Sequence, residues 1–120
     1  MMKEQKVLFK RLKDIKDYWV DSSVKRLNEQ GDLVPSECEK EYKVLKTLLK
    51  TEESKIAYRK IMNNTIEGVI HSILVMLDGG DELTDKFNID IINADTKKSL
   101  KENIALHEEF FGYLLDVEEN

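Results

Sequence analysis

The chain predicts an all-α protein, a four-helix bundle with a long irregular connection before the last helix. Three observations carry that prediction. Apolar side chains recur at three- and four-residue spacing over most of the 120 residues. Residues 66–77 form a nearly unbroken apolar segment that stops at Gly79-Gly80. The only proline, Pro35, stands close to Gly31 in one marked break. A chain of this length reads as one helical domain, residues 1–120, able to bury a core without cross-links.

The elements follow in order. Leu8, Leu12, Ile15 and Trp19 are spaced 4-3-4, one face of a first helix. Val20, Val24 and Leu27 continue that helix about 100° round from the stripe. Ser36 reads as an N-cap with Glu39 completing a capping box, and Tyr42, Leu45 and Leu49 mark the second helix. Thr51 is a further candidate cap, although no Gly or Pro separates helices two and three there. Ile56, Tyr58, Ile61 and Met62 lead into the apolar segment. Gly79 is expected to end it in a left-handed conformation, with Asp81 capping whatever follows.

Between Asp81 and Lys98 the helical period fails, and Phe87, Ile89 and Ile91 alternate with Asn88 and Asp90. The preferred reading is an ordered extended loop that plugs the end of the bundle. The competing one is a homodimer in which residues 87–92 pair between subunits. Ser99 and Glu102 form another capping box, from which the last helix would run to about Asp116.

Charge is uneven. The net −5 conceals a final segment, residues 78–120, with four Lys against twelve acids, while residues 1–30 are net positive. Nucleic acid is not expected as a partner, because the N-terminal cations are interleaved with acids and the domain is acidic. The segment points to a basic protein partner, since complementary potentials steer encounter. Asp81, Glu82, Asp85, Asp90, Glu108, Glu109, Glu118 and Glu119 are the expected contact residues. The longest apolar run contains Glu67 and His71 and is too short to span a bilayer, so no membrane is expected. A single cysteine, Cys38, and a Lys-rich start make a cytoplasmic location the default expectation.

The chemistry-bearing residues are the two histidines and their neighbours. Glu67, His71, Leu74 and Asp78 lie along one side of a helix, within about 60° of arc. His107 falls in the stripe Leu100, Ile104, Phe111, Leu114, which predicts an imidazole facing the core. One reading is a tether in which His107 reaches a carboxylate such as Asp78 or Glu67 and fixes helix register. The alternative is a metal-dependent or acid–base hydrolase, with His71, Asp78 and His107 as ligands to a divalent metal and Glu67 as base. Two imidazoles sharing one ion would stand roughly 4–7 Å apart. No cofactor is otherwise expected. Ser72 is no nucleophile for His71, because adjacent helical residues point about 100° apart.

Gly79-Gly80-Asp81-Glu82-Leu83 resembles the Gly-Gly-Asp-Glu-Phe signature of diguanylate cyclases. That family carries it in a β-hairpin of a longer α/β domain; here a helix precedes it and no strand stands upstream, so the likeness is local. The apolar helix ending Leu77-Asp78-Gly79-Gly80, taken with Leu106-His107-Glu108-Glu109-Phe110-Phe111, is similar to small uncharacterised all-helical bacterial proteins. That resemblance implies no activity. By size and charge the chain is compared with acidic immunity proteins that neutralise toxins.

Overall fold

The computed structural model describes residues 2–28 and 38–118. The protein is all-α. Its elements are α1 (Lys3–Arg26), α2 (Glu39–Leu48), α3 (Glu52–Leu77), a 3₁₀ turn (Glu82–Asp85) and α4 (Leu106–Glu118). Gly31 to Ser36, with the expected helix stop and cap, lie outside the described residues. No described helix is long and apolar enough to cross a membrane.

Thr51 answers the open boundary. Its hydroxyl accepts from the Ser54 amide, and the Ser54 hydroxyl accepts from the Thr51 amide, a reciprocal box that starts α3 anew. Helices α2 and α3 are therefore separate. At the other end of α3 the Gly pair makes a full Schellman turn. Gly79 has φ 79°, its N–H donates to Met76 O, and Gly80 N–H donates to Val75 O. A Cβ on Gly80 would lie 2.9 Å from Val75 Cγ1, so the second glycine is needed for close approach. Asp81 then accepts from Leu83 N at 2.9 Å and caps the 3₁₀ turn as expected.

The chain gathers into two compact units, Met1–Asp14 with Glu67–Asn120, and Ile15–Ile66. In the first, Phe9, Leu74, Leu106, Phe110 and Leu114 form the core, with Leu12, Ile70, Leu77, Ile91, Ile104 and Tyr113 packed on it. Gln5 is fully buried there, and its Nε2 donates to Leu100 O at 2.8 Å and to Glu102 O at 3.3 Å. That amide satisfies carbonyls of the irregular connection, which would otherwise cost about 1–3 kcal/mol each to bury. In the second unit, Lys16, Val20 and Leu27 are buried and α2 buries no residue. The Lys16 ammonium reaches Asn63 Oδ1 at 3.1 Å and Asp17 Oδ1 at 3.0 Å. Arg26 stacks its guanidinium over the Tyr42 ring at 5.4 Å.

Two expected helix faces need correction. The inward side of α1 runs Gln5, Phe9, Lys16, Val20, Leu27, whereas Ile15 and Trp19 are exposed. The apolar stripe alone misassigned it, because two polar side chains occupy inward positions. The last helix begins at Leu106, seven residues after the expected cap. Ser99 instead bonds Asp90 and Lys101 N, in a turn-rich segment where Asn103 has φ 63°.

The connection between α3 and α4 is ordered by its own hydrogen bonds. Ile92 and Ser99 form an isolated antiparallel bridge, Leu100 N donates to Ile91 O, and Asn93 N donates to Lys98 O. Lys101 Nζ donates to Leu77 O at 2.8 Å and Ile89 O at 2.6 Å, fastening the loop to the last turn of α3. Ile91 packs on the core as the plug reading expects, while Phe87 and Ile92 stay exposed.

Asp90 in this loop has its carboxyl held below the ordinary carboxylate value, chiefly by the Ser99 hydroxyl at 2.7 Å and less by the Ile91 amide and the Lys101 charge. A depressed folded-state pKa stabilises the fold above the unfolded value, and this contribution disappears as pH falls through the folded one. Ser99→Ala should move the Asp90 titration upward toward the ordinary carboxylate range, measured by NMR of the side-chain carboxyl carbon. An unchanged midpoint would remove Ser99 as the cause.

Candidate functional site

The site is built where α3 ends and α4 begins. Asp78, the residue after α3, turns its carboxylate onto the first turn of α4. Its Oδ1 accepts from Leu106 N at 2.9 Å and its Oδ2 from His107 N at 2.9 Å. The same Oδ2 lies 2.6 Å from His107 Nδ1. Asp78 thus serves as an N-cap supplied from 28 residues upstream, satisfying two amides that a helix start leaves without partners. Glu108 and Glu109 add negative charge in the same turn, which suits the positive end of the helix dipole.

The hydrogen on the short contact resides on His107 Nδ1, since a carboxylate accepts and does not donate. In the neutral ring that selects the Nδ1–H tautomer, with Nε2 as the lone-pair nitrogen. His71, exposed on α3, stands edge-on to His107, with ring centroids 5.4 Å apart and planes at 85°. Glu67 is half-buried one turn earlier on α3. The tether expected from the sequence is present, and its partner is Asp78.

The burial expected of His107 is not. Its side chain is 26% exposed against 8% for Asp78, so the imidazole sits at the flank of the core. The buried side of α4 is Leu106, Phe110 and Leu114, and Phe111, expected inside, is 58% exposed. The reason is the start of the helix. Leu100 and Ile104 precede α4, so they set no register for it, and the Asp78 cap does.

Among the described residues no group of three or more His, Cys, Asp or Glu side chains is placed to hold a metal ion. Asp78 is removed from the expected ligand set because both oxygens are engaged by α4. As an orienting carboxylate it supplies half of an acid–base pair, but the Ser72 hydroxyl, about 100° round α3 from His71, does not complete one.

The acidic residues fall in three places. Asp81, Glu82 and Asp85 are exposed around the 3₁₀ turn, where with Leu83 and Lys86 they line a shallow open hollow. Asp90 is exposed in the bridged loop, and Glu108, Glu109 and Glu118 are exposed on α4. Glu119 lies outside the described residues. The sequence reading missed what stands between the α4 acids. Glu108, Phe111, Leu115 and Glu118 are spaced 3-4-3 and all exposed, within about 80° of arc on the side away from Phe110. The spacing was visible, but Phe111 was placed in the core-facing stripe and Leu115 was passed over.

No family model matches this chain, and neither curated proteins nor solved structures include one similar to it.

Proposed function

We propose that the chain is a protein-interaction module of the bacterial cytoplasm, a helical bundle that binds a basic protein partner in the manner of an acidic immunity-type inhibitor. One observation supports this reading above the others. The outer face of α4 carries Phe111, 58% exposed, and Leu115, 45% exposed, bracketed by Glu108 and Glu118. A solvated aromatic with an aliphatic neighbour and an acidic rim has the composition of a binding hot spot with steering charges. The exposed acids of the 3₁₀ turn extend the negative field that would draw a cationic surface in.

The test starts from proteins of the source organism retained on the immobilised chain at low salt, identified, purified and re-measured singly. A basic partner should bind, its affinity falling as salt rises. Glu108→Lys with Glu118→Lys should slow association, and Phe111→Ala should cost about 2 kcal/mol of binding. Binding indifferent to salt, to both charge reversals and to Phe111→Ala would reject the proposal.

A further inference from the structure

We infer that His71 and His107 form a two-imidazole chelate for a borderline divalent transition ion of the zinc, copper or nickel class, with Asp78 as the outer partner that orients His107. This stands apart from the interaction reading and requires no catalysis.

The spacing is the first argument. A metal–nitrogen bond of about 2.0–2.1 Å puts the ion roughly 3.2 Å from each ring centroid. Two imidazoles meeting at one ion with an angle of about 110–120° then have centroids roughly 5.2–5.5 Å apart. The observed separation is 5.4 Å. The angle between ring planes does not enter, since each ring can rotate about its own metal–nitrogen axis.

The second argument is the state of His107. Its Nδ1 is taken by Asp78 at 2.6 Å, which leaves Nε2 as the donor nitrogen. A carboxylate behind the ring nitrogen opposite the metal is the arrangement that fixes orientation and raises ligand basicity in histidine metal sites. Here that carboxylate is itself anchored by two backbone amides of α4. One imidazole is therefore held in place, and His71 stands beside it at an exposed position on α3.

The third argument is ligand chemistry. Two neutral nitrogens suit zinc, copper or nickel and offer little to magnesium or calcium, which take oxygen donors. The remaining coordination positions fall to water, because no third protein donor is gathered among the described residues.

The experiment is a zinc titration of full-length, tag-free protein in the Cys38→Ser background, since the exposed Cys38 thiol would compete. Calorimetry should give one ion per chain, and NMR should show ring-nitrogen resonances of both histidines shifting on binding, that of His107 at Nε2. His71→Ala, at an exposed position that leaves the fold intact, should lower affinity about tenfold or more, and magnesium should not displace zinc. Affinity within twofold of the parent in His71→Ala, or histidine ring-nitrogen signals that do not move, would overturn the inference. Equal binding of magnesium at the same nitrogens would do so too.

Discussion

Asp78→Ala should destabilise the protein by about 2–4 kcal/mol, more than any other single change at a polar side chain described here. The substitution orphans the amides of Leu106 and His107, which both donate to this carboxylate at 2.9 Å. Loss of an ordinary N-cap costs about 0.5–2 kcal/mol, and leaving a buried donor unsatisfied costs about 1–3 kcal/mol. The His107 ring loses its partner as well. Asp78→Asn retains one acceptor oxygen and should fall between the parent and the alanine variant. His107→Gln, which removes only the ring contact, should cost about 0.5–1.5 kcal/mol. Urea denaturation of the three variants separates these terms. Should His107→Gln prove as damaging as Asp78→Ala, the carboxylate's main task would be the imidazole and not the helix start.

Phe9→Ala should cost about 3–5 kcal/mol, the range for deleting a fully buried aromatic from a packed core. Phe9 is 0% exposed, and its ring meets Phe110 at 5.6 Å and Tyr113 at 6.1 Å between centroids. Both contacts are tilted, the geometry that adds attraction beyond area alone. The matched control is Phe111→Ala on the outer face of α4, where the change in stability should stay within about 0.5 kcal/mol. Thermal and urea unfolding of the pair decides the point. Equal losses would mean that α4 presents the opposite side to the core.

Much of the helical content could be read from the residues. The Gly79-Gly80 stop, the Thr51 start and the Asp81 cap rest on short-range backbone chemistry, and each is where local rules put it. The errors have a different origin. Gln5 and Lys16 hold inward positions on α1 because their polar ends find Leu100 O, Glu102 O, Asn63 and Asp17. A periodicity built on apolar side chains passes over such residues and rotates the helix by roughly one position. The beginning of α4 was misplaced for a related reason: Ser99 to Glu102 has the letters of a capping box, but the acid that caps this helix is Asp78, far away in sequence. Of the site, a tether from His107 to a carboxylate such as Asp78 or Glu67 was legible from helical spacing, and the partial exposure of His107 was not. Exposure depended on where α4 starts.

The capping carboxylate also bears on the order in which the protein is made. Unit 1 is assembled from both ends of the chain, whereas Ile15–Ile66 is continuous. Phe9 is synthesised about a hundred residues before its partner Phe110. A 13-residue helix is marginal by itself in water, so α4 gains its structure only on meeting Asp78 and Phe9. Translation therefore holds the nascent chain with α1 half-clothed until α4 has been made. A ribosome stalled before Leu106 would display that bare greasy side to chaperones, and release of the last segment would conceal it in one cooperative step.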